Sequence, residues 1–241
     1  MAVGVAASNA QTTYSQNIVG YANVQTLTGG NYYLLTIPFA VGSSNGANEV
    51  FGTTLPDFSV ILTWNAVAQS YTSTIYDSTG PNPAYPGNLW WQSDDFTPAV
   101  IPTLPVGQGF FLQPYMAITN TFAGTIPVNV GTSNQMTLPV GGNYYLVASA
   151  VPYAGIVTNG NNSTGGPNLN GLPDFSVVLK WNATSQSYIS TIYDSTGPNP
   201  SFPNNLWWQS DDFTPALVPT INVGEGVFVQ PFASYTWTTG L

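Results

Sequence analysis

Short apolar stretches broken by turn residues run the whole length of the chain. Tyr32-Tyr33-Leu34-Leu35-Thr36-Ile37 is aromatic and branched and follows a Gly-Gly-Asn turn, which predicts a strand. From Phe58 to Asn65 the pattern partly alternates, with Phe58, Val60, Leu62 and Trp64 on one face. A turn at Asn65 to Gln69 leads into Tyr71 to Tyr76, so the two form a hairpin. Gly109 to Gln113 is a strand ended by Pro114, and Thr119 to Gly124 another. No stretch carries an apolar stripe of period 3.6, and 24 Gly with 20 Pro are poor material for helices. The expected class is all-β.

The pattern is written twice. Leu55 to Ala99 aligns with Leu172 to Ala216 without a gap, and 37 of the 45 positions are identical. Gly29 to Leu34 matches Gly141 to Leu146, and Val106-Gly107-Gln108-Gly109 matches Val223-Gly224-Glu225-Gly226. The second copy is five residues longer between Leu146 and Leu172, placed in the loop-like run Asn159 to Gly171. Residues 1–15 then form an N-terminal arm, 16–127 the first repeat and 128–241 the second. Each repeat has the size of an ordinary domain, and each is expected to be a β-sandwich, with a jelly roll or barrel as the other arrangement.

Charge removes several functions. Only 5% of the residues are charged, Lys180 is the one basic residue, histidine is absent and the net charge is -9. One lysine cannot replace the counterions of a nucleic acid, so no nucleic-acid partner is expected. Anionic membrane surfaces are repelled, and no phosphate-binding loop with its lysine is present. Without Cys or His there are no ordinary zinc, copper or haem ligands, so no cofactor is expected except an oxygen-ligated calcium ion. A serine nucleophile has no histidine base. Paired carboxylates could hydrolyse glycosides, but the first repeat has no cation to tune them. The chain is read as a non-enzyme.

Eight of the ten acidic residues occupy four positions twice. Asp94, Asp95, Asp211 and Asp212 are the candidate calcium ligands; the competing reading is that Asp closes turns onto backbone amides. Trp90, Trp91, Trp207 and Trp208, with Trp64, Trp181, Tyr71, Tyr76, Tyr188 and Tyr193, form the aromatic set. Exposed rings flanked by amides stack on sugars. Neighbours on a strand face opposite ways, so one Trp of each pair would instead enter the core and the other a subunit contact. No run of about 18 apolar residues exists to span a membrane. Met1 to Ala10 reads either as the remnant of a secretory signal or as a strand, with Val3 and Val5 on one face, that pairs with another molecule.

Gln16-Asn17-Ile18-Val19-Gly20-Tyr21-Ala22-Asn23, Pro105 to Phe111 and Thr121 to Gly124 carry a resemblance. The chain resembles a group of secreted proteins common in Verrucomicrobia and related bacteria. Those have a "QN-V-GY-N" opening, a Trp-Asn strand and a "P-G-x-G-F-F" strand. The likeness covers the first repeat almost throughout, while the second lacks the opening motif. It implies a bacterial, exported, non-enzymatic protein and carries over no functional residue.

Two roles are expected from these features. Lysines and charged edges normally prevent strands of different molecules from pairing, and here they are missing. A chain with an apolar arm that adds to the next copy would polymerise head to tail. The first role is therefore the subunit of an extracellular filament, sheath or surface layer, partnered by copies of itself. The second is a carbohydrate-binding or adhesive module with a polysaccharide partner. With few ion pairs to lose, stability is expected to depend weakly on pH.

Overall fold

The computed structural model describes residues 19–127, 133–158 and 169–240. It is nearly all β. The first repeat comprises β1 (Val19–Leu27), β2 (Tyr33–Thr36), a short helix α1 (Ala47–Phe51), β3 (Ser59–Asn65), β4 (Ser70–Tyr76), β5 (Trp90–Gln92), β6 (Gly109–Gln113) and β7 (Ile118–Thr125). The second comprises β8 (Ser133–Leu138), β9 (Tyr145–Ala148), β10 (Gly155–Ile156), β11 (Ser176–Asn182), β12 (Ser187–Tyr193), β13 (Trp207–Gln209), β14 (Thr220–Ile221), β15 (Gly226–Gln230) and β16 (Tyr235–Gly240).

Both repeats have the same plan. A five-stranded antiparallel sheet runs β2-β6-β3-β4-β5 in the first and β9-β15-β11-β12-β13 in the second. The first and last strands of each repeat pair with each other, β1 with β7 and β8 with β16, as a two-stranded ribbon. Ile118 and Phe122 of one ribbon join Ile61, Phe110 and Leu112 of the sheet in a single core. The hairpin of β3 and β4 holds full register from Ser59↔Tyr76 to Asn65↔Ser70, as the alternation predicts. The turn before β2 places Gly30 at φ 83°, and its counterpart Gly142 at φ 85°. This left-handed backbone suits a residue without Cβ.

The strands are buried on one face and partly covered on the other, which explains why their alternation is only partial. Ile61 is fully buried in its own repeat's core, whereas Leu62 and Trp64, on the opposite face, pack in a third cluster with Phe228 of the other repeat. Along β6, Phe110 and Leu112 enter the first core and Phe111 the shared cluster. The two sheets therefore meet through their second faces, and each keeps its own ribbon and loops on the first.

Sheet edges are closed without charge. Trp91 bridges to Pro98, with Gln92 N–H donating to Thr97 O at 2.9 Å and Ala99 N–H to Trp90 O at 2.9 Å. Trp208 bridges to Pro215 in the same way. Proline on the outer strand offers no donor to an incoming chain. At the other edges Thr36 N–H donates to Gly224 O and Ala148 N–H to Gly107 O, both at 2.9 Å, so each repeat caps its neighbour's sheet. The absence of charged residues does not leave these two sheets open, contrary to the expectation from composition.

The repeats differ around α1. Glu49 gathers the backbone N–H groups of Ser43, Ser44 and Gly46, which fixes this one-turn helix and brings Phe51 against Phe110 and Phe122. Five residues are too few to show a stripe, so the helix was invisible to periodicity. In the second repeat Val157 and Leu169 join that core, and Val227 and Val229 stand where the first has Phe110 and Leu112.

Candidate functional site

The most elaborate shared structure is the aromatic seam between the sheets. It is reciprocal: almost every contact occurs twice with the repeats exchanged. Trp64 Nε1 donates to Tyr144 O and Trp181 Nε1 to Tyr32 O, each at 2.8 Å. Gln69 accepts from Tyr144 N–H at 2.9 Å and donates to Tyr144 O at 3.1 Å; Gln186 does both to Tyr32 at the same distances. A glutamine side chain thus pairs with a backbone amide as a second strand would. Gln69 and Gln186 sit at φ 51° and 52° in the hairpin turns, a left-handed backbone that aims them across the seam.

The rings repeat the relationship. Trp64 meets Phe228 and Trp181 meets Phe111, both edge-on at 5.2 Å between centroids. The hydroxyls of Tyr71 and Tyr188 lie 3.2 Å apart, where the two halves of the arrangement coincide. Burial pushes the phenol of Tyr71 well above the ordinary tyrosine range, and its hydrogen bond with Tyr188 adds to this. Burial raises Tyr188 as well. On either side of this pair lie two small, open apolar hollows. One, of about 170 Å³, is walled by Trp64, Tyr71, Tyr144, Leu179, Tyr188 and Phe228. The other, of about 240 Å³, has the counterpart residues Tyr32, Leu62, Tyr71, Phe111, Trp181 and Tyr188. At the centre Gly109 and Gly226 let the backbones approach: a Cβ on Gly109 would fall 2.9 Å from Leu146 Cγ.

The adjacent tryptophans serve neither as a sugar-binding shelf nor as a subunit contact. Trp90, Trp91, Trp207 and Trp208 are all buried within the chain. Each pair does face opposite ways, but both faces are covered. Trp90 packs on Tyr76 at 5.2 Å and donates to Asn48 Oδ1 at 2.6 Å. Trp91 donates to Asp77 O at 2.9 Å, and Trp208 to Asp194 O at 3.0 Å.

The acidic candidates are turn residues. Asp95 Oδ1 accepts from Thr97 N–H at 2.9 Å and Oγ1 at 2.8 Å, and Asp212 does the same with Thr214. These bonds hold both carboxyls below their usual range. Asp94 and Asp211 are exposed beside them. Among the described residues no three acidic groups converge on a common point, and Asp95 and Asp212 each use one carboxylate oxygen to close a turn. Asp77 and Asp194 are fully buried and bond in turn to Thr79 and Thr196. Val3 and Val5, and most of the Asn159 to Gly171 loop, lie outside the described residues.

No family model matches the chain, and neither a curated protein nor a solved structure does.

One departure from the repeat makes a site of its own. Thr63 becomes Lys180 and Gln108 becomes Glu225, and these two exchanges meet: Lys180 Nζ lies 3.4 Å from Glu225 Oε1 and donates to Thr220 O at 2.7 Å. The lysine stands in a groove of about 580 Å³ between the second sheet and the 216–220 segment, with Asn182, Ile189, Thr191, Gln209 and Leu217. The sequence held the signal for this in the positions where the copies disagree. For the seam it held the residues but not their role, because strand periodicity cannot say which of two covered faces meets another sheet.

Proposed function

We propose that the chain is a non-catalytic structural subunit of an extracellular filament, sheath or surface layer built from copies of itself. The observation that carries this reading is an exposed aromatic pair found in the same place in both repeats. Phe58 and Tyr115 stand 5.6 Å apart and are 46% and 62% exposed; Phe175 and Phe232 stand 5.9 Å apart and are 50% and 68% exposed. Phe58 and Phe175 have φ of 66° and 65°. A left-handed backbone costs a residue with Cβ roughly 1–2 kcal/mol, and glycine or asparagine would meet the same turn more easily. A large ring held there in water makes physical sense if another molecule covers it. The near-absence of charge and the resemblance to exported bacterial proteins support an assembly outside the cell. Because the five-stranded sheets have closed edges, strand addition by the N-terminal arm falls to the ribbons.

Electron microscopy of the purified full-length protein tests this. Filaments or sheets are expected, thinned or lost in a Phe58→Ser/Phe175→Ser variant. Dispersed monomers under every condition tried would contradict it.

The groove at Lys180 favours a second reading, carbohydrate binding. Its amine, amide and hydroxyl groups beside Ile189 and Leu217 offer polar partners and an apolar wall, the mixture that a sugar ring matches. Glycan binding that survives a Lys180→Met/Gln209→Ala change would exclude this groove as the site.

A further inference from the structure

The seam is self-complementary, and this bears on how a chain meets its neighbour. Across it every side chain named above faces a partner set by the repeat: Trp64 and Trp181, Tyr71 and Tyr188, Gln69 and Gln186 are the same residues in the same contacts. Phe111 and Phe228, Leu34 and Leu146, Leu62 and Leu179 are likewise identical pairs. A first repeat therefore presents to a second repeat the same face that it would present to another first repeat. This is the definition of an isologous contact, here enclosed within one chain.

We infer that the aromatic seam also forms between chains, with the repeats of one copy pairing with repeats of the next instead of with each other. The inference rests on the polymer reading above and adds a second contact to its exposed aromatic pairs. No new surface is required, because the exchanged seam has the same hydrogen bonds and the same ring contacts. A chain in which the seam opens has two equivalent faces, one per repeat. Reciprocal exchange between two such copies closes a dimer, and exchange passed on from copy to copy gives an open chain. Within one molecule the closed form is favoured by the effective concentration of a short connection, about millimolar. Exchange therefore wins only where chains are crowded, as at a surface onto which they are secreted.

The neighbouring phenols of Tyr71 and Tyr188 supply the probe. Full-length chains, half of them labelled with nitrogen-15, are unfolded, mixed and refolded at high concentration. Monomer and oligomer are separated, the tyrosines are coupled by mild photo-oxidation, and the chain is cut before Asp57, Asp77, Asp174 and Asp194. In the oligomer, about half of the cross-links between the 57–76 and 174–193 peptides should join a labelled to an unlabelled chain, as random pairing requires. Links between two 57–76 peptides should appear as well. The monomer should give label-pure links only, and a Tyr71→Phe/Tyr188→Phe variant none at these positions. Oligomers whose links are all label-pure would overturn the exchange while leaving the polymer reading intact through its surface contacts. Failure to form any oligomer would overturn both.

Discussion

The hydroxyls of Tyr71 and Tyr188 stand 3.2 Å apart, and each residue is the other's counterpart in the duplication. Two copies of one unit thus touch through the same atom of the same residue. Folding raises both phenols above their ordinary value of 10.0. The stability this carries is complete below that value and is lost as pH rises above it, because the unfolded chain releases the proton first. Tyrosinate absorbance should therefore show a set of phenols that ionise at higher pH in the folded chain than in the unfolded one. Tyr71→Phe/Tyr188→Phe should shrink that set. Ionisation of every tyrosine at the same pH in the folded and the unfolded chain would contradict the seam.

Losing one seam hydrogen bond should have the same effect from either side. Trp64→Phe and Trp181→Phe each remove a donor from a carbonyl that a glutamine still serves, so each should cost about 1 kcal/mol in urea unfolding. Phe111→Ala and Phe228→Ala should cost about 3–5 kcal/mol each. The near-equality within each pair is the diagnostic result.

Acid should act late and through few groups. The backbone N–H of Ser43 first, then those of Gly46 and Ser44, bond the Glu49 carboxylate and lower its pKa from 4.5 to about 2. Asp95 and Asp212 are lowered by their threonine partners. Stability from lowered carboxyls is present above their ordinary values and is lost as pH falls through the folded ones. Thermal melting should then be level from neutral pH to about 4.5 and fall only toward pH 2. Glu49→Gln should flatten part of that fall and lower stability at neutral pH.

The tryptophan pairs should behave as core. Trp91→Ala and Trp208→Ala should each destabilise by about 3–5 kcal/mol in chemical denaturation. By contrast, a Lys180→Met/Glu225→Gln change removes a surface ion pair worth about 0–1 kcal/mol and should leave the melting temperature nearly unmoved. The reverse order would mean that this ion pair, not the aromatic interior, holds the second repeat.

The fold class and the repeat were readable because turn residues and strand runs are local signals, and 37 identities in 45 positions leave no ambiguity about duplication. Roles were harder. Trp90 and Trp91 read either as a sugar shelf or as one core ring and one contact ring, because a strand with one open face is the commoner case; here Asn48 and the Asp77 carbonyl cover both rings. Gln69 gave no sign of itself, since its work depends on a turn conformation and on Tyr144, 75 residues away. The left-handed φ of Phe58 is equally silent in the sequence, yet it marks the surface on which the proposed assembly turns.

Sedimentation of the full-length chain across a wide concentration range tests the central claim most directly. Self-association predicts a mass that rises well beyond the 25.6 kDa of one chain as concentration increases, with the rise suppressed by Phe58→Ser/Phe175→Ser. A single species of 25.6 kDa at every concentration, unchanged by those substitutions, would contradict it.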